Sequence, residues 1–293
     1  MIDYDPHKWW SHFFDLKGSM VREIAARVAT CTAWSAVVVA IDQYVVDVSI
    51  SPIAHQLVGT AVGLLLVFRT NASYDRFWEG RRMWGNIINE SRNLGRSAAV
   101  YLQGVPDLRK QLIEQTILFS YATMHRLRGE RGVGEGTKFL SPEELGTLTT
   151  TGNIPLQVTI EISNSLKGAR DRGQISDYVL MTLDNNVQLL IDYLGACERI
   201  EKTPLPFAYM VHLRRVLIMY CFTLPFALVG AFEWATVLDT FLVAYTFFGI
   251  EEIGVEIEGP FGRDENDLPL ERFCQLIEKD LLEAIGERKA EGA

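Results

Sequence analysis

Two long stretches of the 293-residue chain contain no lysine or arginine, and they constrain its fold more than any other feature. They cover residues 28–68 and 216–262, so all 28 basic residues lie outside them. A helix needs about 20 mostly apolar residues to cross the hydrocarbon core of a bilayer. Each stretch can hold two such helices joined by a tight turn, and nothing alternates with the period of a strand. The sequence therefore predicts an all-α integral membrane protein with four transmembrane helices.

The chain divides into five predicted segments. Residues 1–24 are rich in Trp and Phe, which favours either a segment lying at the membrane surface or one packed on the protein itself. Residues 25–69 hold the first two membrane helices (25–45 and 53–68), and residues 207–250 hold the other two (207–229 and 235–250). Residues 70–206 space their apolar positions as amphipathic helices do, which predicts a helical cytosolic domain. Residues 251–293 form an acidic turn and a last helix.

The positions of the basic residues predict the orientation of the membrane helices. They precede the first helix and follow the second, but both short turns inside the helical pairs have none. Because basic residues stay on the cytoplasmic side, both termini and residues 70–206 are expected to be cytoplasmic.

Composition and motifs argue against several other functions. The net charge of −9 disfavours a nucleic-acid partner, which calls for a basic surface. The glycine-rich residues 129–138 lack the Gly-Lys-Ser/Thr order of a phosphate-binding loop, and the histidines show no metal-binding spacing. The four scattered cysteines predict reduced thiols rather than disulfides. We therefore expect no enzyme and no required cofactor.

The second membrane helix carries a stripe that suits a pore. Thr60, Leu64 and Phe68 recur every four residues and share one face, while Gly59 and Gly63 form a small-residue pair beside them. The stripe can line a pore between identical copies, where an apolar constriction gates by dewetting. Alternatively, the stripe faces lipid while the glycines pack inside one subunit. The residues alone favour this second interpretation.

A resemblance to a known family changes that balance. Residues 68–85, which read FRTNASYDRFWEGRRMWG, resemble the signature of the bestrophin family. Further segments resemble the family, and particularly its bacterial branch, in order along the chain: Gly18-Ser19, Asp184-Asn185, Thr203-Pro204, Leu224-Pro225-Phe226, Pro260-Phe261-Gly262 and Asn266-Asp267-Leu268-Pro269-Leu270. The resemblance implies a homopentamer in a bacterial inner (plasma) membrane, with one pore along the five-fold axis.

The resemblance also assigns residues to the pore. Thr60, Leu64 and Phe68 match the three positions that line the family's narrow hydrophobic neck, although Thr60 replaces the usual bulky apolar residue. Tyr178 matches a second constriction near the cytosolic exit, where the bacterial pattern is aliphatic.

Acidic residues give two further candidate sites. Asp264 and Asp267 match positions at which the eukaryotic members of the family bind calcium, and Glu256 lies nearby. Calcium takes six to eight oxygen ligands, and this turn supplies fewer acidic groups than the eukaryotic cluster. A solvated acidic loop is the alternative. Asp239 lies inside the fourth predicted membrane helix, where an acid is either functional or hydrogen-bonded at a subunit contact.

The leading functional hypothesis is passive conduction of small monovalent ions, with the lipid bilayer and copies of the chain as partners. The eukaryotic relatives that the sequence resembles pass chloride, whereas the bacterial resemblance and the net charge of −9 slightly favour sodium-like cations. The alternative is a membrane-anchored scaffold or sensor without conduction.

Overall fold

The described part of the chain is mostly helical. The structure is a computed structural model that describes residues 7, 10 and 18–286, and residues 18–286 contain no strand. The all-α prediction is confirmed, while most of the predicted surface segment 1–24 lies outside the described residues. The helices are α1 (Val21–Tyr44), α2 (Ile53–Tyr101), α3 (Pro106–Leu127), a 3₁₀ helix (Gly134–Phe139), α4 (Pro142–Thr149), α5 (Ile154–Asp171), α6 (Asp177–Lys202), α7 (Phe207–Phe232), α8 (Ala235–Glu256) and α9 (Leu270–Ala284).

The helices form two compact units. The first contains the described residues up to Phe77 together with Pro204–Asp267, and the second contains Trp78–Thr203 with the described residues from Leu268 onward. The boundary between the units falls inside α2, after Phe77, and the acidic turn and the last helix belong to different units. The five predicted segments stay a prediction.

The first unit is held together by one apolar core. Buried side chains from α1, α2, α7 and α8 meet there, among them Val28, Val62, Leu217 and Phe248. Membrane helices associate through close van der Waals packing and hydrogen bonds between helices. One such bond runs from the Trp34 indole nitrogen to the Phe222 carbonyl oxygen, 2.9 Å away.

The second unit has a buried core of its own. Most of α3 is buried, and a buried carboxylate on α9, Glu278, accepts hydrogen bonds from the Tyr121 hydroxyl at 2.8 Å and the Lys138 ammonium at 2.6 Å. A capping box begins α4: the Ser141 hydroxyl accepts from the Glu144 amide, and the Glu144 carboxylate accepts from the Ser141 amide.

Three of the described helices, α1, α2 and α7, are long and apolar enough to cross a membrane. The α8 helix falls short because Asp239 near its start and Glu251 and Glu252 near its end leave only residues 240–250 between them without charge. Those two glutamates are buried and paired: Glu252 lies 2.7 Å from Arg27, and Glu251 lies 3.0 Å from Arg214. The fourth membrane helix at 235–250 stays a prediction.

The α2 helix continues well beyond its predicted end. The sequence predicted a stop at residue 68, because Arg69 is the first cation after the apolar stretch. Instead α2 runs unbroken for 49 residues. The Arg69 side chain is fully buried and ion-paired within the first unit, so its charge does not end the helix.

All four cysteines are free thiols with buried side chains. Cys31 and Cys221 lie in α1 and α7 of the first unit, and Cys197 and Cys274 lie in α6 and α9 of the second. Burial raises the pKa of the Cys197 and Cys274 thiols to about 12. These two thiols therefore stay protonated and unreactive at neutral pH.

Candidate functional site

The three predicted neck residues lie on one uncovered face of α2. Leu64 is 55% exposed and Phe68 is 57% exposed, and Thr60, one turn before Leu64, is also exposed. The Thr60 hydroxyl donates to the Gln56 carbonyl oxygen at 2.9 Å, so its oxygen can still accept a hydrogen bond. The subunit covers none of the three, which leaves them available to an aqueous pore, a neighbouring copy or lipid.

The opposite face of α2 is buried, and it fixes how the helix is rotated. Val62, Leu66, Arg69 and Ser73 follow one another at helical spacing, and each is at most 1% exposed. Val62 and Leu66 join the core of the first unit. Because these residues occupy the inner side, Thr60, Leu64 and Phe68 must point outward.

One carboxylate, Glu258, holds this inner face through its contacts with Arg69 and its neighbours. The Arg69 guanidinium lies 2.8 Å from the Glu258 carboxylate and also donates to the Ser73 hydroxyl. The Leu205 amide donates to the same carboxylate at 2.9 Å, and Arg76 donates to the Glu258 carbonyl oxygen at 3.2 Å. A buried charge is costly unless it is paired and hydrogen-bonded, so these contacts stabilise the position of Arg69.

The two glycines beside the stripe have different surroundings. A side chain added at Gly59 would place its first carbon 2.6 Å from the Tyr220 hydroxyl, so Gly59 permits close packing against α7 of its own subunit. Nothing lies within 4 Å of the same position at Gly63. Gly59 therefore packs inside its own subunit, as one interpretation of the sequence expected, but Gly63 does not.

The predicted aperture residue Tyr178 and the predicted intramembrane acid Asp239 lie on other helices than the neck residues. Tyr178 is the second residue of α6, just after the Ser176 N-cap, and it is 84% exposed. It belongs to the second unit, whereas the neck residues belong to the first. Asp239 lies early in α8 and is half-buried.

The acidic turn uses its carboxylates internally. Asp267 accepts a hydrogen bond from the Asp264 amide at 2.7 Å, and Glu256 accepts one from the Asn266 side chain at 3.3 Å. Burial, assisted by the carboxylates of Asp264 and Glu256, raises the pKa of Asp267 to about 6. Among the described residues no group of three or more His, Cys, Asp or Glu side chains is arranged to hold a metal ion.

Comparison with known proteins identifies the family. A sequence model of the bacterial and fungal bestrophin proteins matches residues 1–283. The chain belongs to the bestrophin family. The family match confirms the resemblance drawn from residues 68–85 and the prediction that the chain is not an enzyme.

The sequences of relatives align with this bestrophin along almost their full length. The voltage-dependent anion channel-forming protein of Synechocystis is 40% identical over 285 residues, which are 96% of this chain and 92% of the relative. The protein of the same description from Escherichia coli K12 is 30% identical, over 97% of this chain and 93% of the relative. Their names support an ion channel.

A solved structure shows the same fold. The crystal structure of a bacterial bestrophin homologue from Klebsiella pneumoniae matches with a TM-score of 0.85 at 30% identity, covering 91% of this chain and 100% of that one. The chain is thus a membrane protein of a channel-forming family.

Proposed function

We propose that five copies of the chain surround a central pore in a bacterial inner membrane and conduct small monovalent ions. The observation that most supports this proposal is the uncovered face of α2, where Leu64 and Phe68 are more than half exposed although the opposite face is buried. Membership of the bestrophin family supports a channel. Copies of this face around one axis would enclose a passage.

The proposed neck consists of three rings, one each of Thr60, Leu64 and Phe68. Apolar rings offer an ion no replacement for its hydration shell, so they set a dehydration barrier and can gate by dewetting. The Thr60 ring differs because its hydroxyl oxygen can accept hydrogen bonds from water. This end of the neck would therefore be wetter than the rings of Leu64 and Phe68.

The proposed topology places both termini on the cytoplasmic side and makes α8 the fourth membrane helix. The absence of basic residues from 28–68 and 216–262 supports this arrangement. Exposed apolar side chains on α8, including Leu238 at 60% and Leu242 at 51%, also support it because they suit lipid or a neighbouring subunit. Asp239, half-buried near them, would form a hydrogen bond at the subunit contact.

We propose that cations pass more readily than anions. The names of the relatives describe anion channels, so this proposed selectivity differs from theirs. The net charge of −9 attracts cations, but only those carboxylates that are not ion-paired with a basic residue contribute to this attraction. Glu251, Glu252 and Glu258 are paired with arginines and contribute little.

Widening the neck tests the proposed pore. Leu64→Ala and Phe68→Ala each remove apolar bulk from one ring, so we expect single-channel conductance in planar bilayers to rise several-fold. Leu238→Ala is the matched control, since it truncates an exposed leucine on α8, and it should leave conductance unchanged.

Three results would contradict the proposal. Unchanged conductance in both neck variants would remove Leu64 and Phe68 from the constriction. A wild-type particle that inserts into bilayers but never conducts, or that lacks five-fold symmetry in detergent, would favour the scaffold or sensor instead.

Tyr178 is proposed to line a second constriction at the cytosolic exit. It projects from the first turn of α6, and its exposure of 84% in the isolated chain leaves room for a ring of five tyrosines. Tyr178→Ala should change the order of permeability among monovalent ions more than the open probability. Tyr101→Ala, which truncates another exposed tyrosine, is the control. An identical permeability series in both variants and the wild type would exclude a selectivity role for Tyr178.

A further inference from the structure

The exposed face of α2 becomes polar just beyond the neck. After Leu64 and Phe68, the same helical register continues to Asn71 and Asp75, and both are exposed. Asp75 lies seven residues after Phe68, or about 10 Å further along the helix axis at 1.5 Å per residue. A pore lined by the neck would therefore meet this carboxylate within two helical turns.

The Asp75 carboxylate forms no ion pair with either arginine of this part of α2. In the part of α2 that belongs to the first unit, the other charged residues are Arg69 and Arg76. Both arginines donate to Glu258, through its carboxylate and its carbonyl oxygen respectively. No hydrogen bond or ion pair joins Asp75 to another residue in the described part of the chain.

The neck itself cannot distinguish the sign of an ion. Rings of threonine, leucine and phenylalanine carry no net charge, and they impose a dehydration barrier on cations and anions alike. Discrimination by sign requires a charge close to the narrow part, where low-dielectric walls focus the field. On the exposed face of α2 within the first unit, Asp75 is the charged residue that meets this requirement.

We propose that five Asp75 carboxylates form a ring below the neck and make the pore favour monovalent cations over anions. The proposal rests on the proposed pentameric pore and names the residue that sets its selectivity. Charged rings raise the local concentration of the opposite ion by about tenfold or more, and screening by salt weakens the effect.

The test measures reversal potentials of reconstituted channels in planar bilayers under a KCl gradient. Wild-type channels should be cation-selective, and Asp75→Asn should lower the potassium to chloride permeability ratio by about tenfold while conductance persists. Asp75→Lys should reverse the preference. Glu143→Gln removes the same charge from the exposed first turn of α4 and should leave the ratio unchanged. Raising the salt concentration should shrink the difference between wild type and Asp75→Asn.

The outcomes separate this inference from the proposed function. Conducting wild-type channels whose permeability ratio is unchanged in Asp75→Asn would overturn the role of Asp75 and leave the pore intact. Anion-selective wild-type channels would overturn it as well. A permeability ratio that changes in Arg82→Gln, further along α2, but not in Asp75→Asn would also overturn the role of Asp75. A wild-type protein without conductance would overturn the pore itself.

Discussion

The two faces of α2 contrast sharply within one helix. On the inner face, Val62 and Leu66 pack in a core, and Arg69 is paired with Glu258. On the outer face, Leu64 and Phe68 contact little of their own subunit although they are as apolar as the inner residues. Contacts inside the subunit therefore account for the inner face of α2. The outer face must contact something outside the subunit, such as a pore, lipid or a neighbouring copy.

This contrast shows which residues reveal a helix's orientation in a membrane protein. Apolar side chains suit both the inside of a helical bundle and the lipid around it, so hydrophobicity alone does not distinguish the faces. A buried charge does distinguish them, because it needs partners from its own subunit. Arg69 marks the inner face, and the stripe of Thr60, Leu64 and Phe68 opposite it is the proposed lining of the pore.

The largest expected effect comes from breaking the inner face. Arg69→Met leaves the Glu258 carboxylate without its buried partner, which should lower the free energy of unfolding by about 3–5 kcal/mol. Arg76→Met is the matched control and should cost less, because Arg76 is less buried than Arg69 and donates to the Glu258 carbonyl oxygen rather than to its carboxylate. Thermal unfolding in mild detergent, followed by tryptophan fluorescence, measures both variants.

A double variant sharpens this result. Arg69→Met combined with Glu258→Gln removes both charges, so it should recover part of the stability lost in Arg69→Met. Wild-type stability in the single variant would mean that the ion pair does not hold the inner face.

A smaller effect is expected from the two glycines. Gly59→Ala would bring a methyl group against the Tyr220 hydroxyl and should lower the free energy of unfolding by about 1–3 kcal/mol. Gly63→Ala meets open space in the subunit and should not destabilise its fold. If copies of α2 approach one another at Gly63, this variant should instead reduce the pentameric fraction in gel filtration. Equal melting temperatures for both variants would contradict the difference between the two positions.

The smallest expected effect concerns calcium. Because the carboxylates of Asp267 and Glu256 already accept hydrogen bonds from the acidic turn, we propose that conduction requires no calcium. Conductance should be the same in EGTA and in millimolar calcium. A calcium-dependent current that disappears in Asp264→Asn would instead establish a site at this turn.

The sequence predicted local features well and distant partners poorly. The stripe of Thr60, Leu64 and Phe68 was predictable because helical spacing alone places these residues on one face. The partner of Arg69 was not, because Glu258 lies 189 residues away and shares its region with several other glutamates. Without that partner, Arg69 suggested the end of a membrane helix, and the unbroken 49-residue α2 was missed.

The burial of all four cysteines has a practical consequence for mapping the conduction path. Thiol reagents added to the intact protein meet no exposed native cysteine. Single cysteines introduced in turn at Leu57, Ala61, Leu64, Phe68 and Asn71 would therefore report their own accessibility to water-soluble labels. Positions whose labelling blocks current would trace the water-filled route residue by residue, in a chain otherwise unaltered.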